Sequence, residues 1–216
     1  MLSETVTVPN GEGVLIGELT VPDTVFGVAI IAHGSDSSRH SPRDRAVADA
    51  LQDAALGTLL IDLLTADEEA ADWATGRHHC GIGLLTHRLI ASVDWLAACT
   101  TDLPLGLFGA STGGAAALGA AAARPGIVDT VVCPDGRPDL AGDDVLGQVR
   151  APVLLLAGGR DTEALRLTRQ TANRLRPLNR LRVIPDATDL FQEPQALDEV
   201  AAVAARWFAG MGQTHL

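Results

Sequence analysis

Short aliphatic runs alternate with longer stretches of helical periodicity along almost all of this 216-residue chain. Apolar residues at 5–8 and 14–21 flank the pair Asn10-Gly11, so the chain is expected to open with an antiparallel hairpin. Further apolar runs follow at 27–32, 58–62, 105–108, 127–132, 153–157 and 181–184. They lack strict polar alternation, which is the pattern of strands covered on both faces. Helical patterns separate them near 42–55, 83–99, 113–123, 161–175 and 194–209, with Pro42 and Pro194 where a first-turn proline is tolerated. The alternation predicts an α/β fold, a doubly wound and mostly parallel sheet of about eight strands flanked by helices. Ligands of such sheets sit at the carboxyl ends of the strands. That rule singles out the loops at 33–41, 62–80, 110–112, 133–143, 158–162 and 185–192.

No repeat or low-complexity linker interrupts the pattern, and residues 1–216 are expected to form one domain. Hydrophobic residues make up 47% of the chain but aromatics only 3%. The core must therefore be built from Ala, Leu and Val. The formal charge of −11 leaves no basic patch to neutralise phosphates, so a nucleic-acid partner is not expected. The N-terminal residues show no basic region followed by an apolar stretch, and no apolar run is read as long enough for a membrane span. Cys80, Cys99 and Cys133 are widely spaced and odd in number, which suits free thiols in a reducing cytoplasm. The oligomeric state is left open.

Chemistry concentrates at Gly109-Ala110-Ser111-Thr112-Gly113, which follows an apolar run and precedes a small-residue helix. In that strand–turn–helix setting G-x-S-x-G exposes a serine nucleophile. The N–H of Thr112, at a positive helix end, would face a developing oxyanion. His33-Gly34-Ser35 closes an earlier strand, where Gly34 or Ser35 can supply a second oxyanion donor. His33 itself suits a loop anchor or a displaced base. Asp161 follows the run at 153–157 and precedes a helix, the place of an acid in the order Ser…Asp…His. The same aspartate also suits a helix N-cap.

These residues resemble the α/β-hydrolase superfamily, and within it the dienelactone-hydrolase-like branch without a cap domain. The segments AHGSDSSRHSPRDRAVADAL, GLFGASTGGAAAL, GRPDLAG, APVLLLAGGRDTEAL and LRVIPDATDLFQEPQALDEVA carry the likeness over nearly the whole chain. The resemblance implies Ser111 as nucleophile, Asp161 as triad acid and a histidine at position 189. That position holds Asp189.

Other departures fall on the same edge of the predicted sheet. Asp36 occupies a loop position where small residues are usual, and Cys133-Pro134-Asp135 replaces a Ser-Arg-Gly type of turn. His78-His79-Cys80 lies in a loop that usually carries no such cluster. With no second cysteine and no helical i, i+4 histidine pair, that cluster predicts no metal site, and no cofactor is expected. One of His33, His78 and His79 is the candidate substitute base, because a triad is set by geometry and not by sequence position. Arg39-His40-Ser41-Pro42-Arg43 opens a helix that suits an anionic group, or Arg39 and Arg43 pair with nearby aspartates such as Asp36 and Asp62. The expected catalytic set is Ser111, Asp161 and Asp189, with Thr112, Gly34 and Ser35 as oxyanion donors. His33, Asp36, Arg39, His40, His78, His79, Cys133 and Asp135 form the expected binding set.

Two carboxylates facing one another raise one pKa and permit proton shuttling. The sequence thus leaves three functions open. The first is a hydrolase of small esters or lactones. The second is a lyase, isomerase or cyclase using Asp-based proton transfer. The third is a silent binding protein. The expected partner is a small molecule, a cationic one being suited to the carboxylates.

Overall fold

In the computed structural model the chain opens with β1 (Leu2–Asn10) and β2 (Gly13–Val21), paired antiparallel around Asn10 and Gly13. The structure describes residues 1–11, 13–33, 38–65, 67–68, 81–100, 102–134, 137–176, 179–188, 191 and 193–210. The hairpin joins a sheet completed by β3 (Gly27–Ala32), β4 (Leu56–Ile61), β5 (Leu105–Gly109), β6 (Val128–Pro134), β7 (Val153–Gly158) and β8 (Asn179–Ile184). The strand order is β1-β2-β4-β3-β5-β6-β7-β8. β2 meets β4 antiparallel, and every later pairing is parallel. All carboxyl ends from β3 to β8 therefore share one edge.

Among the described residues five helices cover the faces: α1 (Pro42–Asp53), α2 (Ile82–Cys99), α3 (Thr112–Ala123) and, beyond the short turn α4 (Asp143–Leu146), α5 (Thr162–Arg174) and α6 (Pro194–Phe208). Successive strand residues point to opposite faces, and the core divides accordingly. Ile30, Leu59, Leu107, Val131 and Leu155 pack with Leu85, Leu89 and Val93 of α2 and the alanines of α3. Their neighbours Ile31, Leu60, Phe108, Val132 and Leu156 pack with Val47 and Leu51 of α1 and Val200, Ala204 and Phe208 of α6. On that second face the Trp207 indole N–H donates to Thr130 Oγ1 at 2.7 Å, and the Thr130 hydroxyl donates to the Pro152 carbonyl at 2.9 Å.

One expectation needs correction. By length and composition Ile82–Cys99 is apolar enough to cross a membrane. Its Leu85, Leu89, Val93 and Leu96 are buried in the first core layer, so its apolarity is used inside the fold.

Candidate active site

The turn between β5 and α3 is built by steric exclusion. A Cβ on Gly109 would sit 2.7 Å from the Gly113 carbonyl carbon, and one on Gly113 would sit 2.6 Å from the Ala32 carbonyl oxygen. Both distances are closer than real Cβ contacts, so glycine is required where the turn presses on β3. The turn closes through Gly113 N–H to Ala110 O at 2.8 Å and Gly114 N–H to Ser111 O at 3.1 Å. Ser111 is left at φ 54° and ψ −130°, a conformation L-residues rarely adopt. Strain of this kind costs on the order of 1–3 kcal/mol and persists only where its surroundings impose it. Ser111 is half-exposed and stands at the head of α3. The N–H of Thr112, in the first turn, has no intrahelical acceptor, and the dipole of a twelve-residue helix is positive there. The Thr112 hydroxyl is buried without a partner among the described residues.

The end of β3 lies against this turn. Ala110 N–H donates to Ala32 O at 3.3 Å, and the His33 carbonyl carbon is 3.1 Å from where a Gly113 Cβ would be. Gly34, Ser35 and Asp36 lie outside the described residues. The His33 side chain is only 2% exposed, and its Nε2 lies 3.2 Å from Asp62 Oδ1. Nδ1 faces Asp44 Oδ2 at 3.7 Å, so the ring is held between carboxylates of β4's exit and α1. Arg39 completes the cluster: its backbone N–H donates to Asp62 Oδ1 at 2.8 Å and its guanidinium pairs with Asp62 Oδ2. Burial opposes ionisation of Asp62, yet the His33 and Arg39 hydrogen bonds and charges together hold its carboxyl below the usual range. Asp44 carries no motif in the sequence; it reaches His33 only through the packing of α1 on the sheet.

On the other side of β5, Asp161 caps α5, its Oδ1 accepting from Glu163 N–H at 2.9 Å and Ala164 N–H at 2.8 Å. Ser111 follows β5 and Asp161 follows β7, with β6 between them. At about 4.8 Å per strand the two turns are roughly 10 Å apart across the sheet. The loop after β8 folds onto the Asp161 turn through Gly159 N–H to Ile184 O at 2.8 Å and Arg160 N–H to Ala187 O at 2.9 Å. Gly158 admits it, since a Cβ there would lie 2.6 Å from the Thr188 carbonyl carbon. Thr188 is tied by N–H and hydroxyl to the Glu193 carboxylate, and Phe191 is buried in the second core layer. The chain at 188 is thus fixed beside Asp161. Asp189 itself lies outside the described residues, as do His78, His79, Cys80 and Asp135.

Cys133, expected in the binding set, does not face solvent. It is 1% exposed, packs under Gly114 of α3, and burial pushes its thiol up to about 12. It is a filler. Arg39 and the exposed His40 line a cavity of about 320 Å³ over the carboxyl end of β4. Among the described residues no group of three or more His, Cys, Asp or Glu side chains is arranged to hold a metal.

A mostly parallel eight-stranded sheet with helices on both faces and a strained serine between β5 and α3 is an α/β-hydrolase fold. Dienelactone hydrolase from Anabaena variabilis is 48% identical, with 96% of this chain and 97% of that one covered and a TM-score of 0.92. This chain belongs to the dienelactone hydrolase family. Est1E from Butyrivibrio proteoclasticus shares the fold at 16% identity, with 96% and 98% of the two chains covered and a TM-score of 0.78. Two proteins from Mycobacterium tuberculosis strains CDC 1551 / Oshkosh and ATCC 25618 / H37Rv, each named "Putative phosphoribosyl transferase", are 47% identical over 207 residues. The match takes in 95% of this chain and 46% of theirs, so the chain spans about half the length of the curated relatives it matches. No family model matches the chain.

Proposed function

We propose that this chain is a serine hydrolase of small esters or lactones, with Ser111 as the nucleophile. The observation that carries this reading is the strained Ser111 backbone at the head of α3, imposed by glycines pressed against β3. Ser111 Oγ would attack the ester carbon and expel the alcohol, and water would then release the acid. The N–H of Thr112 and one from Gly34 or Ser35 would receive the oxyanion. Asp161 and Asp189 form the acid side, where the loop at 185–188 already rests on the Asp161 turn. Among the candidate bases His33 is already engaged elsewhere, its ring buried with Nδ1 facing Asp44 and Nε2 facing Asp62. That leaves His78 and His79 as the substitutes.

A second reading rests on Asp189 itself. A carboxylate is a poor base for a serine hydroxyl, and paired with Asp161 it suits proton transfer in a lyase, isomerase or cyclase. A silent binding protein is the outcome if neither chemistry is found. The transferase named for the M. tuberculosis relatives we assign to their remaining length, since the 46% matched carries the hydrolase fold.

Intact mass after exposure to a fluorophosphonate separates these readings, with native protein, Ser111→Ala and Asp189→His compared. Labelling of native protein that is lost in Ser111→Ala supports a hydrolase with a recruited base. Labelling confined to Asp189→His removes the hydrolase reading and favours the second.

A further inference from the structure

The cavity of about 320 Å³ over β4 has one apolar wall and one polar wall. Val14 and Ile16 of β2 and Leu64 beyond β4 form the first; Ser38, Arg39 and Thr65 belong to the second. Asp62 N–H donates to Ile16 O at 3.0 Å, which joins the two sides at the base. The volume falls in the range of small-molecule sites. In the strand order β4-β3-β5, the cavity stands two strands from the Ser111 turn, about 10 Å along the sheet edge. That is the reach of the remote end of a small substrate, not of its reacting carbonyl.

The hydrogen-bond inventory of the polar wall is one-sided. Ser38 Oγ accepts from His40 N–H at 3.3 Å, and Thr65 Oγ1 accepts from Glu68 N–H at 3.3 Å. Among the described residues neither hydroxyl donates. Arg39 spends one nitrogen on Asp62, while its Nε and Nη2 donate to no described residue. Most of the acceptor capacity of Asp62 is engaged, for Oδ1 takes bonds from His33 and the Arg39 N–H, and Oδ2 takes the guanidinium. What the wall mainly offers a ligand is therefore donors, from hydroxyls and a guanidinium, beside the exposed His40 ring. An ammonium group brings only donors and would lose its hydration without a partner.

We propose that this cavity is a subsite for the remote part of the substrate, selecting an aliphatic chain that ends in an oxygen acceptor such as an ester or ether. The inference rests on the hydrolase reading and deepens it.

The test uses 4-nitrophenyl esters of closely similar length: monomethyl adipate, octanoate and the slightly shorter 6-aminohexanoate. Native protein should favour the adipate over the octanoate by roughly tenfold in kcat/KM, the worth of one or two hydrogen bonds, with the aminohexanoate slowest. Ser38→Ala should lower the adipate-to-octanoate ratio several-fold. Val14→Trp, a substitution at an exposed rim position, should bring the ratio near one by closing the cavity. A ratio of one or less in native protein, a preference for the ammonium ester, or a ratio unmoved by both variants overturns the subsite. If native protein hydrolyses none of the esters, the hydrolase reading fails separately, and ligand-observed NMR with dimethyl adipate decides the cavity. Binding to native protein that Val14→Trp abolishes sustains it, and no binding overturns it.

Discussion

Replacing Gly158 by alanine tests the link between the loop after β8 and the Asp161 turn. The new Cβ would lie 2.6 Å from the Thr188 carbonyl carbon and 2.7 Å from the Ala187 oxygen, where ordinary contact begins at 3.4 Å. All are backbone atoms, with the Thr188 oxygen closer still, so relief requires the loop to retreat by more than about 0.8 Å. Such a move stretches the 2.9 Å bond between Arg160 N–H and Ala187 O past hydrogen-bonding length. One or two lost bonds at about 1 kcal/mol each, plus about 1–3 kcal/mol of overpacking, predict a destabilisation of about 2–5 kcal/mol. Urea unfolding reads that loss directly. Gly83→Ala is the control, since its Cβ meets nothing within 4 Å and the helix should gain up to about 1 kcal/mol. Because residue 189 follows Thr188, fluorophosphonate labelling of Ser111 should also slow in Gly158→Ala. A variant within about 0.5 kcal/mol of native stability would refute the packing argument and detach position 189 from Asp161.

Three further outcomes are expected. Ser111→Gly should raise the urea midpoint by the equivalent of about 1 kcal/mol while abolishing labelling, because glycine adopts φ 54° freely; a lower midpoint would mean the turn is unstrained. Iodoacetamide at pH 8 should modify exposed Cys99 and spare Cys133, whose thiol burial raises to about 12; peptide mapping of native protein distinguishes them. Arg88 of α2 donates to Glu68 at 2.6 and 2.8 Å and to Leu63 O at 2.7 Å, holding the Glu68 carboxyl at about 2 instead of 4.5. A depressed carboxylate stabilises above its unfolded value, so this contribution is complete above about pH 4.5 and fades as pH falls toward 2. The ceiling of about 3 kcal/mol drops to about 1–2 after screening, as Glu68 is partly exposed. Glu68→Gln should flatten the acid limb of stability against pH, and an unchanged limb would exclude the pair as its source.

The elements with strong local signals were legible in advance. The run at 27–32 is β3 to the residue, because six consecutive apolar positions between a phenylalanine and a histidine admit little else. The turns at Pro138–Ala141 and Asp143–Leu146 were not, since GRPDLAGDDVL has no apolar period to read. β8 begins at Asn179, two residues before its apolar run, because pairing of Asn179 and Arg180 with β7 extends an edge strand into polar sequence. Within the site, Ser111 was legible because its motif is local. The clasp on His33 was not: Asp62 lies 29 residues away and is brought there by the parallel pairing of β3 with β4. Pairings of that kind belong to topology. Cys133 admits two readings in sequence, a buried filler at a strand end and a member of the binding set, and its burial beside α3 decides for the first.

The hydrogen bond from Trp207 to Thr130 has a practical consequence. The chain has three tryptophans and no tyrosine, so ultraviolet-excited emission comes from tryptophan without a tyrosine background. Trp207 reports the layer of α6 against β6, and Trp95 reports the layer of α2 on the opposite face. With Trp73 replaced by phenylalanine, substituting either of the other two leaves only the opposite layer's signal in place. The two sides of the sheet thereby carry separate optical labels, and whether they detach together or in sequence during unfolding can be followed without attaching a dye.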